Sequence, residues 1–354
     1  MAALNKPTLE MNSMKKSLLA SALTLVAFSV TAAVEVTKEN YSTAMFDMGM
    51  TVEANNGARQ DWHHHRAPIA LDKQPAPMMN RDTLYSFVIA DAQSDIKVTI
   101  PEMDGRYVSV QVMNHNHETA QMFYGAGEHI IKADETTDYI AFYARTQMNA
   151  SSPEDIAKAN GFQDQMSFEY VDSSYQPEIY KDGVWDMDSF KKIHQHYVEL
   201  AGEKGILHTM SDLERGVIVS QEATNRGVSV ATGLLPDAHA QYINTDYHLD
   251  ASKCYVATHD VPPQADTKLG FYSITIYDED IYLATDEHSI ITNSDITLND
   301  DNTFTVYYGN TETCGDVANL LHVPTNEFTT TMRVYLPDVE AMNHYQVGEL
   351  TEVN

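Results

Sequence analysis

Asn80, Arg81 and Asp82 stand side by side just before an apolar run in this 354-residue chain, three hydrogen-bonding residues clustered at one expected strand edge. Tyr85, Phe87 and Ile89 alternate with Leu84, Ser86 and Val88, which predicts a strand with the polar residues at its start. Within a strand Arg81 and Asp82 would point apart, but in a loop both can serve one site. A desolvated Asp82 would act as a general base, with Arg81 or Arg106 holding an anionic group bidentately. Tyr85 or Tyr107 would donate a proton or stack on a sugar ring. Gln111 and Arg145 complete the candidate binding set with Asn80 and Tyr107. The competing role is structural: Arg and Asp satisfying loop backbone groups and each other, and so pinning the strand.

His115 and His117 form a second constellation. If the strand that begins near Arg106 continues to His117, both imidazoles share a face with Tyr107, Ser109 and Gln111, while Val108, Val110 and Val112 take the other. With the valines packed outward and the polar face lining a barrel, the two histidines would hold a divalent metal such as Zn, Fe or Mn. His129 or one of His63, His64 and His65 would complete the set. Two ordinary histidines at a solvent-facing strand end are the alternative. The triplet His63–His65 by itself reads as polar loop. The 20 tyrosines suit both a carbohydrate-stacking surface and plain strand formation. Gly-x-Ser-x-Gly, phosphate-cradling glycine loops and His-Glu-x-x-His are absent, which argues against the common serine hydrolase, nucleotide and zincin chemistries.

Charge narrows the partners. The formal charge is −29, with 51 acidic against 22 basic side chains, and a surface that acidic repels nucleic acid and anionic lipid. Met14-Lys15-Lys16, the apolar run from Ser17 to Val30 and the small residues to Ala32 predict a secretory signal over residues 1–33, cleaved after Ala32 or Ala33. Residues 1–13 read as an over-extended start before Met14. The mature chain is expected in the periplasm or outside the cell, without stable membrane insertion. Cys254 and Cys314, the only cysteines, are expected to pair there.

The elements that must position these residues are mostly β. Residues 41–53 read as a helix, and period-two alternation from Thr83 to about Arg145 gives short strands bounded by Gly, Pro and Asp turns. Ser152-Pro153-Glu154-Asp155 is a helix start. Phe190, Ile193, Tyr197 and Leu200 lay one stripe on a helix over 187–201, and a third helical stretch is expected after Ser211. Strands return at 254–258, 271–278, 304–308 and 328–336. In the last of these Phe328, Met332 and Val334 oppose Thr329, Thr331, Arg333 and Tyr335. The expected fold is mainly β with helical segments: two jelly-roll-like antiparallel sandwich or barrel domains, 34–185 and 233–354, joined by a helical connector at 186–232.

With those landmarks in place, the chain resembles the tandem DUF1254–DUF1214 family of exported bacterial proteins. The resemblance rests on Asn80-Arg81-Asp82-Thr83-Leu84-Tyr85-Ser86, Pro101, Gly105-Arg106-Tyr107, Tyr124-Gly125-Ala126-Gly127, Arg145-Thr146 and Pro153-Glu154-Asp155 with Gln163-Asp164-Gln165. In the second half it rests on residues 270–278, Gly-Phe-Tyr-Ser-Ile-Thr-Ile-Tyr-Asp, and on Met332-Arg333-Val334-Tyr335 with Pro337. It implies two jelly-roll-like domains joined by helices and supplies no catalytic residues. Two departures stand out: Phe271-Tyr272-Ser273 replaces the family's Phe-Trp-Ser, and Leu320-Leu321-His322-Val323-Pro324 replaces a Trp-Leu-Pro segment.

Two functions are carried forward. One is an acid/base or metal-assisted, hydrolase-like enzyme on a small or carbohydrate-like substrate, with Asp82 as base and the histidines as ligands or proton carriers. The other is a periplasmic ligand-binding or envelope-associated module without turnover. Either is compatible with a homo-oligomer.

Overall fold

The computed structural model describes residues 33–353, so all but the last residue of the expected signal segment lies outside the described residues. The first half runs α1 (Tyr41–Glu53), β1 (His63–His64), β2 (Thr83–Asp91), β3 (Ile96–Ile100), β4 (Val108–Asn114), β5 (Thr119–Tyr124), β6 (Gly127–Ile131), β7 (Tyr139–Gln147), α2 (Pro153–Gln163) and β8 (Ser167–Tyr170). Helices α3 (Met187–Lys204) and α4 (Gln221–Val228) follow. The second half is β9 (Ala240–His248), β10 (Tyr255–Asp260), β11 (Tyr272–Tyr277), β12 (Ile290–Thr292), β13 (Thr303–Gly309), α5 (Thr311–Cys314), β14 (Leu320–His322), β15 (Glu327–Tyr335), α6 (Val339–Met342) and β16 (Thr351–Glu352).

The strands form four sheets. Orders β1-β2-β7-β4-β5 and β6-β3-β8 belong to the first half; β12-β11-β15-β9 and β14-β13-β10-β16 belong to the second. Pairing is antiparallel except between β13 and β14. Among the described residues no sheet closes on itself, so the sandwich alternative holds over the barrel. Alternation explains each core. Val108, Val110 and Val112 of β4 meet Val88, Ile96, Val98 and Phe142 between the first two sheets. Ile274, Ile276, Met332, Val334 and Phe304 do the same in the second half. Burial of such side chains contributes roughly 1.5–3 kcal/mol each.

Caps set the helix starts. Ser152 and Asp186 accept from the backbone N–H of Asp155 and Ser189 at the starts of α2 and α3. The helix expected after Ser211 begins instead at Gln221, capped by Ser220. Asp212 makes a tight bridge to Val217, and that pairing keeps 211–217 out of the helix. Cys254 and Cys314 are bonded, joining the start of β10 to the end of α5.

Two expectations about β4 are corrected. Its valine face turns inward to the sandwich core, and Ser109 and Gln111 face the helices and the second half. The strand also stops at Asn114. Backbone bonds from His117 and Asn114 close a hairpin there, and His117 adopts a left-handed φ of 69°. The two histidines therefore sit in a turn and do not share a strand face.

Candidate functional site

Antiparallel register writes the polar face of the five-stranded sheet as rows. Tyr85, Arg145, Ser109 and Tyr124 make one row; Phe87, Tyr143, Gln111 and Met122 make the next. Across from them β9, β15 and β11 present the row Tyr242, Arg333 and Ser273. Hydrophobic faces fill the sandwiches, so it is the two polar faces that meet. Arg145 and Arg333 are both buried, 6% and 4% exposed, and among the described residues neither has a carboxylate within ion-pair distance.

Arg145 is held by neutral groups. It donates to the carbonyl of Gly233 at 2.6 Å and to Gln111 Oε1 at 3.3 Å, and its guanidinium lies 4.5 Å from the Tyr143 ring centroid and 5.8 Å from that of Tyr85. Burial works against its charge, but the phenols of Tyr85, Tyr143, Tyr242 and Tyr107 outweigh burial and hold its pKa above the usual arginine value. Tyr85, Tyr143 and Tyr242 are half-buried, and among the described residues their hydroxyls have no hydrogen-bond partner. Burial pushes the Tyr242 phenol up to about 12 and that of Tyr143 higher still. The surroundings of Arg145 thus offer one fixed cation and several neutral O–H donors.

The loop that lids Arg145 is fixed by His117. Its Nε2 accepts from the Gly233 N–H at 3.2 Å, which leaves Nδ1–H to donate to the Ser42 carbonyl at 3.4 Å. Gly233 has φ +70°, and a Cβ there would come within 2.7 Å of Tyr143. With both ring nitrogens engaged by backbone, His117 cannot ligate an ion. His115 instead bonds Asp47 at 2.8 Å, a buried carboxylate that also accepts from Tyr180 and from Trp185 Nε1 at 2.9 Å. The expected His115/His117 metal pair is therefore not assembled.

The Asn80–Asp82 string does something different from what its composition first suggests. Asp82 is fully buried and accepts from Ser273 Oγ at 2.6 Å and Tyr335 OH at 3.2 Å, both in the second half. Asn80 donates to Tyr335 OH at 2.9 Å, and Arg81 pairs with Asp286 at 2.5 Å. Arg333 reaches back to the Met78 carbonyl and Tyr277 OH. Arg106 is bidentate to Asp155 at 2.8 and 2.6 Å, so its expected role as a ligand clamp is taken by an internal carboxylate. Arg106 and Asp155 instead line a groove of about 440 Å³ shared with Ser294 and Asp295. The Tyr107 hydroxyl is buried beside Phe271 and Tyr335 and has no hydrogen-bond partner among the described residues.

Two groupings escape sequence reading. Asp212 Oδ2, His239 Nε2, His239 Nδ1 and Tyr124 OH form a chain with links of 2.8 and 2.7 Å, tying the 211–217 turn and β5 to the residue before β9. Glu53, His63 and His65 converge where α1 faces β1. The only advance signal for the latter was the odd-residue spacing of 63 and 65.

The comparisons agree with this architecture. Residues 60–130 match the family model described as protein of unknown function DUF1254, and residues 239–339 match DUF1214, also of unknown function. The VPA0106 protein of Vibrio parahaemolyticus superposes with a TM-score of 0.69 at 19% identity, over 90% of this chain and 98% of its own. A Burkholderia cenocepacia protein of uncharacterized function gives 0.48 at 14% identity, over 89% and 88%. No curated protein matches the chain. At 19% identity the likeness to the Vibrio protein speaks for the fold alone. Both family segments occur in one chain and in that order, which matches a tandem DUF1254/DUF1214 arrangement.

Proposed function

We propose that this protein is a binding module for a small anionic ligand, a carboxylate or phosphate, taken up beside Arg145 between the two polar sheet faces. The observation that carries the reading is a guanidinium 6% exposed, with no carboxylate partner among the described residues and three half-buried phenols around it. Leaving a buried charge without a counter-ion is costly, and an anion accepting from Arg145 and the tyrosine hydroxyls would repair it. Acid/base turnover through Asp82 has less support, because Ser273 and Tyr335 already occupy its carboxylate oxygens. We place the mature protein in an exported compartment, on the strength of the Cys254–Cys314 bond. Among the described residues no helix is long and apolar enough to cross a membrane.

The test is calorimetric titration with inorganic phosphate, succinate and acetate, with erythritol as neutral control, on wild type and Arg145→Met. Wild type should bind at least one anion and ignore erythritol. Arg145→Met should weaken that binding by about 10- to 100-fold, the worth of a charged hydrogen bond. Its unliganded thermal midpoint should hold or rise, since an apolar replacement removes an unpaired buried charge. Anion binding that Arg145→Met leaves unchanged overturns the reading, as does a wild type that binds none of the anions.

A further inference from the structure

We propose that Glu53, His63 and His65 form a binding site for a divalent first-row transition-metal ion. The site lies at the edge of the same sheet face as Arg145, with Phe87 and Tyr143 between them, and it stands on its own three residues.

Backbone pairing builds it. His63 lies opposite Phe87 and His64 opposite Ser86, and the His65 N–H continues the ladder to the Tyr85 carbonyl at 2.8 Å. Period two then puts His63 and His65 on one side of the strand and His64 on the other. There His64 bonds Ser86 Oγ at 2.8 Å and stacks on Trp62. Glu53, the last residue of α1, reaches the same side.

The ligand atoms are close to what an ion requires. His65 Nε2 and His63 Nε2 lie 3.0 and 3.7 Å from the same oxygen, Glu53 Oε2, and all three ligand atoms fall within 4.8 Å of one another. Ligands about 2.0–2.1 Å from a zinc ion sit roughly 3.0–3.4 Å apart, so a small imidazole rotation closes the set. Hydrogen bonding alone leaves the arrangement half explained: His65 is within range of Glu53, but His63 at 3.7 Å is not. An ion between them would satisfy all three.

Competing cations are turned elsewhere. Arg66 pairs with Asp164 at 2.5 Å, and Arg59 pairs with Asp182 at 2.7 Å. Two imidazoles and one carboxylate suit zinc, iron(II) or manganese rather than calcium or magnesium. Three protein ligands at a site where His63 and His65 are 27% and 42% exposed leave coordination positions open to water or to an incoming group.

The experiment uses protein purified without a polyhistidine tag, stripped with EDTA and titrated with zinc chloride in a calorimeter. Cobalt(II) absorption gives a second readout of nitrogen and oxygen ligation. One equivalent of zinc should bind to wild type. His63→Ala with His65→Ala should weaken that equivalent by at least about 100-fold, since loss of outer partners alone commonly costs 10- to 100-fold. Zinc should raise the thermal midpoint of wild type and leave that of the double variant unmoved. Should the double variant fold poorly, Glu53→Gln decides, because it keeps shape and hydrogen-bonding reach while removing the anionic ligand. No stoichiometric zinc in wild type overturns the site, and so does an equivalent that survives intact in a well-folded variant.

Discussion

Burial sets the charge state of His117, and through it the pH response of the fold. Desolvation lowers its pKa from 6.5 to about 4, and the Ser42 carbonyl only partly opposes this. A depressed folded pKa means the unfolded chain binds more protons between about 4 and 6.5. The stabilisation is therefore complete above 6.5 and is lost as pH falls toward 4. For a side chain with no exposure the loss reaches on the order of 3 kcal/mol. Buried His259, also lowered to about 4 by desolvation, adds in the same window. Denaturant midpoints measured from pH 7.5 to 4.5 should fall steeply in wild type and less steeply in His117→Asn. Asn is chosen because it tolerates the left-handed φ. None of this was legible in His-x-His spacing. The pattern marks a metal pair on a strand, but Asn114 accepting from the backbone N–H groups of Asn116 and Glu118 turns the chain three residues too early.

Strands were the most readable elements, because alternation is a local signal. Thr329, Thr331, Arg333 and Tyr335 separate from Phe328, Met332 and Val334 as their spacing requires. Elements fixed by a single partner were less readable. β1 is two residues long and exists only because β2 offers a free edge. The Cys254–Cys314 pairing was readable because only two cysteines occur. Sixty residues separate them, a loop long enough for the bond to remove substantial unfolded-state entropy. The double variant Cys254→Ala, Cys314→Ala should lose about 2–4 kcal/mol in urea unfolding. Wild type under reductant should fall to the same midpoint. Equal midpoints for wild type, variant and reduced protein would show that the bond contributes nothing.

At the scale of the whole molecule, the two halves meet largely through polar faces, where a buried group that loses its partner costs more than it would in water. The contacts of Asp82 with Ser273 and Tyr335 span 191 and 253 residues of sequence, which is why no local pattern could assign them. What the sequence did display was a polar string ahead of β2; its partners come from β11 and β15. Removing the carboxylate leaves Ser273 Oγ and Tyr335 OH with no acceptor in a buried space, and leaves Arg333 without its nearby negative charge. Asp82→Ala should therefore destabilise by roughly 2–4 kcal/mol, the worth of two hydrogen bonds to a charged group after compensation. Because these bonds couple one sandwich to the other, the cost should appear as lost cooperativity as well as a lower midpoint. Wild type should unfold in one calorimetric transition and Asp82→Ala in two, with Asp82→Asn intermediate because its amide oxygen still accepts. A single transition in Asp82→Ala, lowered by no more than a surface substitution would lower it, would mean that the apolar contacts of Tyr107, Phe271 and Tyr335 join the halves without help from Asp82.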